Sequence, residues 1–167
     1  MLYPIGIQNF EKLREGGYVY VDKTSLIHKL ANSGTYYFLS RPRRFGKSLL
    51  ISTMEAYFKG KKELFRGLAL EKLEKDWIEY PVLHLDLNGI SYNSEDVLDQ
   101  VLNEKLSAWE TEFGICAKST IPGLRFQNII DAAYGYTGHQ VVILIDEYDK
   151  PIVDNLGNTK LTDYYRK

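Results

Sequence analysis

The sequence predicts an α/β fold in which helices flank a parallel sheet. Three observations predict it. An apolar run over residues 35–40 feeds a basic loop closed by Gly46-Lys47-Ser48, and Leu50, Met54, Tyr57 and Phe58 then recur at helical spacing. A second run, Val141-Val142-Ile143-Leu144-Ile145, stops on Asp146-Glu147. It does not alternate, which implies a strand buried on both faces, as in a parallel sheet. Two strand–helix repeats separate the loop from this acidic pair, the spacing of one α/β layer.

Taken in order, the chain opens with a short helix around Phe10-Glu11-Lys12-Leu13-Arg14, closed by Gly16-Gly17. Tyr18-Val19-Tyr20-Val21 is extended and rich in strand formers. Asp22, in Asp22-Lys23-Thr24, stands where an N-cap would; Leu26, Ile27 and Leu30 form one face of the helix that follows, and Gly34 ends it. Residues 35–40 are the first core strand and 47–58 an amphipathic helix closed by Gly60. Short helices are expected around 63–65 and 70–77. Pro81 opens a second strand, 82–87, with Val82, His84 and Asp86 on one face. Asp86 sits at its carboxyl end, where open α/β sheets bind ligands, although capping a turn is the plainer role. Ser94 caps a long helix with Val97, Leu98, Val101, Leu102, Leu106 and Trp109 as its buried stripe and Gly114 as its end. The next helix turns Ile129, Ile130 and Ala133 inward. After the last strand, the tail from Asp154 reads as a loop and a helix start at Leu161, Tyr164 and Tyr165.

Strand, Gly-Lys-Ser loop, helix is the order of a phosphate-binding loop, and it predicts a P-loop NTPase core. Backbone N–H groups of such a loop wrap phosphates at a helix N-terminus, where unpaired donors and the dipole both favour anions. The cofactor-binding residues on this reading are Arg41, Arg43, Arg44, Phe45, Gly46, Lys47, Ser48 and Leu49. Lys47 reaches the β/γ-phosphates and the Ser48 hydroxyl ligates Mg²⁺. The loop departs from G-x-x-x-x-G-K-[ST] at its first position, which is Arg41, and Pro42 removes one N–H donor. The three guanidinium groups would offset phosphate charge. Contact with a DNA backbone or a partner, or plain exposure to solvent, are the alternatives. The acidic pair is the Walker B pattern. Asp146 holds Mg²⁺ through its water shell, and Glu147 orients or deprotonates the attacking water. Lys47 and Glu147 are thus the catalytic candidates, Ser48 and Asp146 the metal ligands. The Asp-x-x-Gly and Asn-Lys-x-Asp pair that marks a GTPase is not seen, which favours ATP.

Composition narrows the classes. A chain of 167 residues, 44% hydrophobic, is one domain with material for a core. A net charge of -1 gives no general footprint for nucleic acid. The single Cys116 fits a reducing compartment, no apolar run approaches the roughly 20 residues that span a bilayer, and the N-terminus lacks a signal-peptide pattern. A soluble cytoplasmic protein is the expectation. His28, His84 and His139 lack zinc-site spacing. Lys59, Lys61 and Lys62 read as a solvated turn, and the paired tyrosines as packing residues.

At these motifs the chain resembles the AAA-ATPase-like domain that often precedes a PD-(D/E)XK nuclease-like domain in bacterial proteins. The carrying residues are Pro4-Ile5-Gly6-Ile7, Tyr20-Val21-Asp22-Lys23-Thr24, the loop from Phe38 to Ser48, Tyr57-Phe58-Lys59-Gly60, Tyr80-Pro81-Val82, and Ile145-Asp146-Glu147-Tyr148-Asp149-Lys150-Pro151-Ile152. The arginines that depart from P-loops at large agree with this family. The resemblance implies an ATP-binding module with Mg²⁺, hydrolysing ATP in the full-length protein. The alternative is a nucleotide-dependent switch with little turnover that regulates a fused or partner nuclease-like domain. It also implies a sheet ordered 5-1-4-3-2, of which this chain supplies strands 1–3 only. Residues 1–34 would be a helical and extended lead-in, and 35–167 a partial core belonging to a longer protein.

Overall fold

The computed structural model describes residues 2–40, 42, 44–116 and 119–166. They form an α/β structure with one small parallel sheet and flanking helices, divided into two units, Met1–Val82 and Leu83–Lys167.

In the first unit Asn9 caps helix α1 (Phe10–Glu15) by accepting the Lys12 N–H at 2.9 Å. Phe10 is fully buried, and its ring stands 4.9 Å from Phe65 and 5.1 Å from Tyr20. Its N–H donates to Ser52 Oγ at 2.8 Å, which ties α1 to helix α3 (Lys47–Phe58). Ile27 of helix α2 (Thr24–Ala31) and Ala56 and Tyr57 of α3 close the same core. Leu26, expected on the buried face of α2, is exposed, because Ile27 takes the inward position and Leu26 is turned about 100° away on a 3.6-residue helix. Residues 18–21 form no strand; one isolated parallel bridge joins Tyr18 to Leu2.

Asp22 does more than begin α2. The N-cap position is Lys23. Asp22 Oδ1 accepts from the Thr24 N–H at 2.8 Å and the Thr24 hydroxyl at 2.7 Å, and Oδ2 accepts from Ala69 N–H at 2.7 Å. Thr24 Oγ1, fully buried, accepts the Leu70 N–H at 3.0 Å. The Asp-Lys-Thr motif is therefore a clamp that feeds the orphan donors of helix α4 (Ala69–Leu73). Burial pushes the Asp22 carboxyl up, but the bonds from Thr24 and Ala69 outweigh it and hold the group below its ordinary value. The stability it adds is present above that ordinary value, about 3.9, and is lost as pH falls through the lower folded value. Asp22→Ala is expected to lose about 1–2 kcal/mol at pH 7 in urea melts, with a gap to the parent chain that shrinks in acid. A gap that stays constant down to pH 3 would sink the clamp.

The second unit holds the sheet. Strand β1 (Val82–Asp86) pairs with β2 (Val142–Asp146), and the Leu87 N–H extends the ladder to Asp146 O at 3.2 Å. Leu83 is buried against Leu106 of helix α5 (Val97–Glu112) and Ile129 of helix α6 (Pro122–Thr137). Helices α7 (Lys150–Val153) and α8 (Thr159–Tyr165) follow β2. Ser94 does not cap α5: its hydroxyl donates to Asp96 at 2.6 Å, and Asp96 is the N-cap residue.

Two expectations about strands are overturned. Residues 35–40 form no strand among the described residues, and Tyr36 and Phe38 are 94% and 72% exposed. The sheet therefore holds two of the three expected strands. A strand exists by its ladder. In the order 5-1-4-3-2 that the resemblance implies, the neighbours of residues 35–40 would be strands 4 and 5, whereas 82–86 and 142–146 would be strands 2 and 3. Nor is β2 buried on both faces: Leu144 and Asp146 are buried, Ile143 and Ile145 are 43% and 48% exposed. In a two-stranded sheet, helices that pack on Leu83 of one strand leave part of the other open.

Candidate functional site

The Gly-Lys-Ser loop and the acidic pair belong to different units, and each has its own local geometry. In the loop, Arg44 and Gly46 adopt φ of 68° and 75°. Gly46 is the N-cap residue of α3, a left-handed position that strains any residue with a Cβ. The Leu50 N–H closes the first turn onto Gly46 O at 3.0 Å. Lys47, Ser48 and Leu49 form that turn. Gly46 has no side chain with which to cap α3, and no acidic residue stands in the first turn, so no carboxylate of that turn opposes the positive end of the dipole. Arg44, Phe45 and Gly46 are exposed; Lys47, Ser48 and Leu49 are half-buried. Arg41 and Arg43 lie outside the described residues.

At the end of β2, Asp146 is 4% exposed and its Oδ1 accepts the Glu147 N–H at 3.0 Å. Glu147 turns through φ 52°, a left-handed conformation that is rare for a residue with a Cβ. The Lys150 N–H then closes the turn onto Glu147 O at 3.0 Å. Asp86, at the matching end of β1, accepts the Asn88 N–H at 2.8 Å, the turn-capping role.

An oxygen-only donor set fits Mg²⁺, which takes one or two protein ligands beside phosphate and water. Ser48 Oγ and the Asp146 carboxylate are groups of that kind. Among the described residues no cluster of three or more His, Cys, Asp or Glu forms a metal site, and no helix is long and apolar enough to cross a membrane.

Sequence reasoning missed two buried polar groups. Arg125 donates to both Glu110 oxygens, through Nε and Nη2, at 2.7 Å each. Its remaining donors reach Asn103 at 2.7 Å and Ser107 at 3.0 Å. This cluster lines a cavity open to solvent with Ser119, Thr120 and Ile121. The second group is built on Tyr92 and Asn155, both buried.

No solved structure matches the chain. It is 45% identical over 160 residues, 95% of its length, to a protein of Azotobacter chroococcum mcd 1 described as "Uncharacterized protein in vnfD 5'region". The chain spans 31% of that relative's length. Residues 4–167 match the AAA-ATPase-like family, described as "Predicted AAA-ATPase". With a match that runs through the Gly-Lys-Ser loop and the Asp146–Glu147 pair alike, the chain belongs to the AAA-ATPase-like family.

Proposed function

We propose that this chain is the ATP-binding module of a P-loop ATPase that hydrolyses ATP with Mg²⁺. The observation that carries the reading is the N-terminus of α3, entered through left-handed Gly46 and bearing Lys47 and Ser48 in its first turn. First-turn backbone N–H groups, the helix dipole and a lysine combine there into an anion site. Pairing of β1 with β2 supports a core of the 5-1-4-3-2 order. In this reading Arg44, Phe45, Gly46 and Leu49 supply loop backbone and charge, Lys47 contacts the β/γ-phosphates, and Ser48 and Asp146 hold the metal. Arg41 and Arg43 add charge to the same loop. Bound Mg²⁺ would neutralise charge developing on the phosphate oxygens. Glu147 would hold the water and accept its proton.

A second reading is a switch that binds nucleotide, turns it over little, and regulates an attached nuclease-like domain. The unladdered state of residues 35–40 favours it, because phosphoryl transfer depends on a rigidly placed loop.

Titration with Mg-ATP tests both. Lys47→Ala is expected to weaken binding by about 10- to 100-fold, the value of one charge-assisted hydrogen bond. Equal affinity of the two chains would overturn the nucleotide reading. ATP binding without turnover by the full-length protein selects the switch.

A further inference from the structure

We propose that Asn155, together with Tyr92, is the positioning residue of Glu147, fixing the left-handed turn on which that carboxylate stands. The catalytic part of this inference rests on the hydrolytic reading above. The conformation of Glu147 is costly for a residue with a Cβ and persists only where its surroundings over-determine it. Those surroundings form a closed hydrogen-bonded circuit. On the upstream side the Leu87 N–H donates to Asp146 O at 3.2 Å, and the Tyr92 hydroxyl donates to Leu87 O at 3.1 Å. On the downstream side the Lys150 N–H donates to Glu147 O at 3.0 Å. Asn155 joins the two. Its side-chain amide donates to Tyr92 O at 2.5 Å and to Pro151 O at 2.9 Å.

The junction is buried and itself held. Tyr92 is 1% and Asn155 8% exposed. The Thr162 hydroxyl donates to Asn155 O at 2.6 Å, so α8 fixes the backbone that carries the amide. Buried donors and acceptors left without partners are penalised, so the two carbonyls depend on the amide that donates to both. The chain leaves β1, passes Tyr92, leaves β2 through Glu147, and is locked at Asn155. A shift of the α7 segment therefore transmits to the Glu147 turn, and a displacement of about 1 Å in a reacting group can lower a rate by about a hundredfold.

The test uses Asn155→Ala in the full-length protein with two readouts. Amide hydrogen exchange at residues 147–150 is expected to accelerate about tenfold while α6 amides keep their parent rates. ATP turnover is expected to fall about tenfold or more in kcat with KM within about twofold, the pattern of an interaction lost only in the reacting state. Unchanged exchange at 147–150, equal acceleration throughout α5 and α6, or parental kcat in a loosened turn would each overturn the proposal. If the full-length protein turns over no ATP, the hydrolytic reading fails and the exchange pattern alone decides whether Asn155 holds the Glu147 turn. If Asn155→Ala does not fold, Tyr92→Phe, which removes only the hydroxyl bond to Leu87, is read in the same way.

Discussion

Glu147→Gln is expected to lower ATP turnover by about a hundredfold or more while Mg-ATP binding stays within about twofold. Glutamine keeps the length and shape of the side chain and can still accept a hydrogen bond, but it cannot take a proton from water. A positioned general base contributes about 10²- to 10⁴-fold, and that is the contribution removed. In the proposed reading, ground-state binding rests on other groups, the α3 N-terminus with Lys47 and Ser48, so affinity is expected to survive. Steady-state turnover and an ATP titration on the same preparations separate the two quantities. A variant that hydrolyses ATP at the parent rate removes Glu147 from the mechanism. A full-length protein that binds ATP and turns none over leaves the switch as the function.

Glu110→Gln is expected to destabilise the chain by about 3 kcal/mol, the low end for a broken buried pair because the cluster lines an open cavity. The glutamine leaves the Arg125 guanidinium occluded without its counter-charge. The surface pairs decide nothing comparable: Lys59–Glu55 and Lys150–Asp154 are i,i+4 pairs worth about 0.3–0.5 kcal/mol each. Replacing both partners, Glu110→Met with Arg125→Leu, should restore most of the loss, since an apolar pair of similar volume leaves no charge behind. The hydrogen bonds from Arg125 hold the Glu110 carboxyl below its ordinary value, burial opposes them, and the arginine charge adds to them. Its contribution is complete above that ordinary value, about 4.3, and disappears as pH falls through the lower folded value. Urea melts at pH 7 and pH 3 should therefore show the gap between parent and Glu110→Gln closing in acid. A gap under about 0.5 kcal/mol at pH 7 would reduce the cluster to an ordinary surface pair.

The helices were legible because apolar spacing sits in the sequence itself, whereas the expected N-caps Asp22 and Ser94 gave way to Lys23 and Asp96. Ile129 and Ala133 lie four residues apart on α6 and are both fully buried. The same spacing held the signal for the ion pair: Arg125 precedes Ile129 by four and Glu110 follows Leu106 by four, so both charges stand on their helices' buried stripes. A charge on such a stripe implies a partner, and its complement on the next helix names it. The Gly-Lys-Ser loop and the Asp146–Glu147 pair were legible as motifs because each is a contiguous run. Residues 35–40 were misread because their apolar pattern specifies extended backbone and a strand also needs a neighbour. Asn155 was illegible. It lies in a polar loop, Asp154-Asn155-Leu156-Gly157, and its role arises from Tyr92, 63 residues away.

The exposed segment ahead of the loop has a colloidal consequence. Thr35-Tyr36-Tyr37-Phe38-Leu39-Ser40 carries no charge and no proline, favours extended backbone, and displays Tyr36 and Phe38 to solvent. Six residues of that composition suffice to seed cross-β stacking between copies. Arg41, Pro42, Arg43 and Arg44 follow immediately. They set like charges and a missing N–H donor at the end of the segment, the arrangement that discourages strands from stacking in register. The arginines proposed to meet phosphate thus also act as gatekeepers against self-association. Neutralising them, whether by mutation or by a polyanion, removes a solubility safeguard along with a binding charge.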